Sequence, residues 1–136
     1  MQTNKLDRQS MPQSTEAPER MQGMVPGVKA GGFLFLSAIR GREPGSGTMS
    51  KDPVEQARRA LKNLEAVLAA SGATLAHVVK ITLYLHDQEM RTPFHKVWME
   101  VFPVDPPARI AICVADANAA PGGQAYFALD VIALAP

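Results

Sequence analysis

The stretch Pro107-Ala108-Arg109-Ile110-Ala111-Ile112-Cys113-Val114 places a single arginine at the mouth of an otherwise apolar segment. Side chains on a strand alternate faces. Ile110, Ile112 and Val114 therefore point one way, and Arg109, Ala111 and Cys113 the other. A guanidinium that shares its face with small uncharged neighbours must find its anion elsewhere. Its planar fork matches a carboxylate or phosphate through two parallel hydrogen bonds. The plainer alternative is an arginine at a strand end, reaching water or pairing with an acid of its own chain. Cys113 lies on the same face, but a lone strand cysteine with no histidine near it in sequence reads as a small buried hydrophobe. His77 and His86 flank a strand at a spacing unsuited to a metal pair, so they read as surface residues and no metal is expected. Arg40 and Arg42 sit in a Gly/Pro-rich loop over residues 40–50, either solvated or closing over an anionic ligand. That loop has the glycines of a phosphate loop but lacks the Gly-Lys-Ser/Thr ending, which argues against nucleotide binding there.

The elements that must position these residues are well marked. Gly27, Gly31 and Gly32 predict a hairpin into the strand Phe33-Leu34-Phe35-Leu36-Ser37. Asp52 caps a first helix, Pro53 suits its first turn and Glu55 completes a capping-box pattern. Val54, Ala57, Leu61, Leu64 and Leu68 then form one stripe, and Gly72 ends it. A strand follows from Val79 to Leu85, with Val79, Ile81, Leu83 and Leu85 on its buried face. A second helix opens at Thr92-Pro93 and carries Phe94, Val97, Trp98 and Val101 inward. The Arg109 strand comes next, then a Pro121-Gly122-Gly123 loop and a last strand from Tyr126 to Leu134. The order β-β-α-β-α-β-β predicts an α+β fold, one sheet with two helices on one face.

Composition narrows the function. A chain of 136 residues holds one core, with a single domain expected over 23–136. Residues 1–22 are polar and without periodicity, a tail that drapes over the domain or over a neighbouring subunit. Net charge is +1, from 14 basic and 13 acidic residues, which argues against nucleic acid or an anionic membrane as partner. The single cysteine excludes an internal disulfide, and no signal peptide or membrane span is visible, so a cytoplasmic protein is expected.

In this order the pieces resemble the RidA/YjgF family of small enamine/imine deaminases. The likeness covers residues 24–133. It rests on Gly32-Phe33-Leu34-Phe35-Leu36-Ser37, on Gln56 with Ala60-Leu61-x-Asn63-Leu64, and on Leu68-Ala69-Ala70-Ser71-Gly72-Ala73. It continues through Val78-Val79-Lys80-Ile81-Thr82-Leu83-Tyr84-Leu85-His86-Asp87, Pro107-Ala108-Arg109 and Leu129-Asp130-Val131-Ile132-Ala133. The resemblance implies a chorismate-mutase-like homotrimer around a central barrel, with a site in each cleft between subunits. It also implies hydrolysis of imines derived from amino acids to ammonia and a 2-keto acid, without cofactor or metal. Arg109 matches the arginine that grips the substrate carboxylate, Ser37 a pocket serine, and Ala111 a position whose backbone faces the ligand.

Other pocket positions differ from the family pattern. The water-activating acid of the last strand falls on Ala128, with Asp130 two residues on as a structural residue or a substitute acid. An early tyrosine falls on Met24, the glycine after the pocket serine on Ala38, and a helix-borne asparagine on His95. His95 is either a surface histidine or a base or donor facing a neighbour's cleft. Two functions follow: an imine/enamine deaminase, or a module that binds a small carboxylic acid through Arg109 without turnover. The family's older label, endoribonuclease L-PSP, fits poorly with 6% aromatic residues and no basic stripe.

Overall fold

The structure is a computed structural model and describes residues 6–114, 119–120 and 123–136. One sheet carries six strands: β1 (Arg8–Ser10), β2 (Gly27–Ala30), β3 (Phe33–Leu36), β4 (Val78–Leu85), β5 (Ala108–Cys113) and β8 (Phe127–Leu134). Their order across the sheet is β1-β2-β3-β8-β4-β5. A two-stranded ribbon, β6 (Ala119–Ala120) with β7 (Gly123–Gln124), stands apart from it. The helices are α1 (Pro53–Ala69) and α2 (Arg91–Val101). All pairings in the main sheet are antiparallel except β4 with β5, which is parallel and uses α2 as its crossover.

The local chemistry explains these elements. Gly31 and Gly32 have φ of +58° and +82°, the mirror-image turn that fits a two-residue hairpin between β2 and β3. Asp52 accepts a hydrogen bond from the Val54 amide at 3.0 Å and starts α1, with Pro53 in its first turn. Glu55 makes no capping box and pairs instead with Arg58. Ala57, Leu61, Leu64 and Leu68 are buried as the stripe predicts, and so are Phe94, Val97 and Trp98 on α2. They pack on Ile81, Leu83 and Leu85 of β4 and on Phe127, Leu129 and Val131 of β8, forming one core between helices and sheet.

Two further expectations need correction. Val79 is exposed and Val78 is buried, because an irregularity in the β4–β8 pairing between Val78 and Lys80 turns the strand's first residues over. The polar N-terminal segment lies on its own domain, the first of the two placements open to it, but it is part of the fold and not a tail: β1 extends the sheet beside β2, and Met11 and Ala17 are buried in the core. Regular structure therefore begins at Arg8, well before Met24. Pro121 and Gly122 of the expected loop lie outside the described residues. Among the described residues no helix is long and apolar enough to cross a membrane.

Among the described residues, two amides are the buried polar residues of the interior. Gln56 donates to the carbonyls of Ser50 and Gln124, both at 2.9 Å, and accepts from the Tyr126 amide at 2.6 Å. Asn63 donates to the carbonyls of Arg40 and Arg42, both at 2.8 Å, and accepts from Arg59 Nε at 3.1 Å. Buried polar groups are tolerable only when paired in this way. Gln56→Leu should therefore lower stability by about 1–3 kcal/mol, the cost of stranding a part-buried partner such as the Tyr126 amide. Urea denaturation, with an unchanged slope, would measure it.

Candidate functional site

β5 is the last strand of the sheet, and its alternation separates two surfaces. Arg109, Ala111 and Cys113 pair with Ile81, Leu83 and Leu85 and so face the helices. Ile110 and Ile112 lie on the open face, where Phe33, Phe35 and Leu134 are also exposed. The expected division of the strand is therefore the one observed. Cys113 is half-buried against the core, the packing role its sequence context suggests.

On the helix side a pocket of about 400 Å³ opens between β5 and the start of α2, lined by Arg91, Thr92, Phe94, His95, Arg109 and Ala111 together with Leu83. The Arg109 guanidinium carbon lies 4.6 Å from the centre of the Trp98 ring, a cation–π contact that fixes the plane of the fork. Trp98 is itself held between Phe94 and Phe102 at 6.2 and 4.6 Å between ring centres. Arg109 Nη2 lies 3.3 Å from His95 Nδ1. A guanidinium can only donate, so in a hydrogen bond between the two Nδ1 accepts. Burial first, and then the like charge of Arg91, hold the Arg109 guanidinium below its usual range. No carboxylate pairs with Arg109 among the described residues, so an anion in this pocket would meet uncompensated positive charge.

The structure brings together three of the residues singled out in the sequence: Arg109, Ala111 and His95. It does not bring the others to them within one chain. Ser37 follows β3, with β8 and β4 between it and β5. Met24 is half-exposed and lines a different cavity. Ala128 and Asp130 pair with Tyr84 and Thr82 on the open face, opposite to Arg109; Ala128 is buried and Asp130 exposed. His77 accepts from the Thr74 amide at 3.0 Å and holds a short 3₁₀ turn, while His86 stacks near Tyr126. Sequence reasoning gave Trp98 a packing role and passed over its place beneath Arg109. The signal was present: Arg91, His95 and Trp98 recur at i, i+4 and i+7 on α2.

The two supports of Arg109 should separate experimentally. His95→Ala, an exposed change, is expected to leave stability within about 0.5 kcal/mol. Trp98→Ala, which empties a buried site, should cost about 3–5 kcal/mol. Denaturant titration of both variants checks the contrast.

Comparison with known proteins agrees with this architecture. The family described as Endoribonuclease L-PSP matches residues 14–133. A RutC family protein of Pyrococcus horikoshii is 34% identical over 97 residues, covering 71% of this chain and 77% of that protein. The chloroplastic Reactive Intermediate Deaminase A of Arabidopsis thaliana is 36% identical over 104 residues, 75% of this chain and 56% of that one. Among solved structures, the Rid family protein YyfA of Yersinia pestis superposes with a TM-score of 0.84 at 25% identity, covering 93% of this chain and 98% of that chain. RidA from an Antarctic Psychrobacter gives 0.83 at 25% identity, covering 93% and 99%. With its sheet order, its two helices and its strand-end arginine, this chain belongs to the RidA/YjgF family, described as Endoribonuclease L-PSP.

Proposed function

We propose that this protein deaminates reactive 2-imino acids, hydrolysing the C=N bond to a 2-keto acid and ammonia while Arg109 holds the substrate carboxylate. The observation that carries this reading is Arg109 itself, braced over Trp98 and beside His95, with no acid of its own among the described residues. The reactive intermediate deaminase of Arabidopsis thaliana, to which this chain is similar, supports the reaction class. In the reaction, the oxygen of a water adds to the imine carbon, and the C=N electron pair moves to nitrogen, which takes up a proton. The carbinolamine hydroxyl then passes its proton to the nitrogen as the C–N bond breaks and the C=O bond forms, releasing ammonia and leaving the ketone. An iminium carbon is already electrophilic. The protein has mainly to hold the acid in one orientation and position one water, which needs neither metal nor cofactor.

In this reading a second copy of the chain completes each cleft. Ser37, Met24, Ala128 and Asp130 lie away from Arg109 in their own chain, so they would reach it only from a neighbour. The exposed Phe33, Phe35, Ile110 and Ile112 form an apolar open face that such a neighbour would cover. We take the assembly to be a homotrimer. Ala128 favours a second reading, a non-catalytic module for a small carboxylic acid, because a methyl group stands where the family pattern has an acid.

Ammonia release from imino acids generated in the assay tests the reading. Wild type should act slowly on imines from serine or threonine. Arg109→Lys should lower kcat/KM by about 10–100-fold, since a point charge replaces a bidentate fork. Ala128→Glu should raise turnover, with a positioned base worth up to about 10²–10⁴ in rate. Activity indifferent to Arg109→Lys would sink the proposal, and tight 2-keto acid binding without turnover in any variant would favour the binding module. Light scattering should return a trimer at micromolar concentration, and a monomer would remove the shared cleft.

A further inference from the structure

The pocket that holds Arg109 carries a second guanidinium to which the reaction gives no task. Arg91 lines it together with Arg109, His95 and Thr92, while Leu83, Phe94 and Ala111 supply its apolar wall. No acid is among these lining residues.

Local structure sets Arg91 in place. The Asp87 side chain accepts from the Glu89 amide at 2.8 Å and starts a 3₁₀ turn over Gln88–Met90. The Arg91 amide donates to the Gln88 carbonyl, and the chain passes from that turn straight into α2. Arg91 is the first residue of α2 and stands one turn before His95 on the same face. His95 in turn lies 3.3 Å from Arg109. The helix thus carries one cation to a pocket in which another is already braced.

Neither cation has an acid to meet. Among the described residues the Arg91 side chain makes one hydrogen bond, from Nε to the Gln88 side-chain oxygen, which leaves its two terminal nitrogens open. No carboxylate lies within ion-pair distance of Arg91 or Arg109 among the described residues. Burial is the first cause of the lowered Arg109 guanidinium and the like charge of Arg91 the second, so each group feels the other. A carboxylate has two oxygens, and one guanidinium fork occupies both. A ligand with a single carboxylate therefore leaves the second guanidinium unmatched.

We propose that Arg91 selects for a second acidic group, so that the pocket takes 2-imino dicarboxylic acids with the carboxylate beside the imine on Arg109 and the distal one on Arg91. The inference rests on Arg109 holding the substrate's first carboxylate. An imine with a plain alkyl side chain brings one negative charge to two guanidinium groups, whereas a dicarboxylic acid brings one to each. Leu83, Phe94 and Ala111 flank the space for the methylene groups between the two acids. A volume of about 400 Å³ suits a small dicarboxylate.

Calorimetric titration of the full chain with 2-oxoglutarate and with 2-oxobutyrate, the keto products of the two imine classes, tests the selection at fixed ionic strength. Wild type should bind 2-oxoglutarate at least about ten-fold more tightly, the scale of one charge-assisted hydrogen bond. Arg91→Gln should bring the two affinities close to parity, Arg91→Lys should keep part of the preference, and Arg91→Glu should invert it. Ammonia release from the imines of glutamate and 2-aminobutyrate should follow the same order in kcat/KM. Equal affinities in wild type, or a preference that survives Arg91→Gln, would overturn the proposal. So would a fall of both affinities by the same factor in Arg91→Gln, since both arginines would then grip one carboxylate. A preference that emerges only in Asp130→Asn would overturn it as well, because an acid of a neighbouring copy would then meet Arg91. An Arg91-dependent preference without ammonia release from either imine would uphold the selection and remove the deaminase reading, whereas affinities indifferent to Arg109→Lys would remove both.

Discussion

Two amide side chains on the buried face of α1 hold together parts of the chain that have no other reason to meet. Gln56 ties the segment before the helix to the approach into β8, and Asn63 ties down the loop that leaves β3. Each has its donors and acceptors matched by main-chain groups or, for Asn63, by Arg59 as well. In a dry interior such contacts reward one geometry and penalise its neighbours, because any displacement leaves a polar group unpaired. The apolar stripe of α1 supplies most of the attraction to the sheet. The amides set the place where that attraction locks.

The sheet then divides the molecule's tasks by face. One face is consumed by the core, and at the β5 end the same face emerges from under α2 to present Arg109 on an aromatic platform. The other face keeps large apolar side chains at the surface. A pocket built at the seam of helix and strand inherits the rigidity of both. Trp98, His95 and Arg109 are therefore held by regular structure and not by loops, which fixes their mutual geometry.

Much of this was legible in the sequence, and the gaps have physical causes. α1 announces itself through Asp52, Pro53 and an unbroken stripe, signals that are local and repeated. Arg109 was legible because a charge among small residues on one strand face has few explanations. β1 was not, since three residues give no period, and the buried Met11 and Ala17 stand alone among polar neighbours. The turn of Val79 outward depends on an irregularity fixed by the partner strand, which local alternation cannot reveal. Lateral order was the largest loss. That β8 inserts between β3 and β4 decides that Ser37 is remote from Arg109, and no pattern within a strand encodes its neighbours. Gln56 and Asn63 stood out only through resemblance, because an amide in a helix shows its partners only after the chain has folded.

The position of β1 also bears on how the molecule behaves in a crowded solution. Strand rims polymerise when a chain offers two long, bare ones, since each added copy leaves another template exposed. Here the rim beside β2 ends in a stub of three residues, Arg8, Gln9 and Ser10, all exposed and polar, while the opposite rim is the longer β5. A chain with one extendable rim can join a partner there, but it has little left with which to continue the row. So short and polar a rim offers little template for edge-to-edge pairing, and the longer rim is the one that carries Arg109.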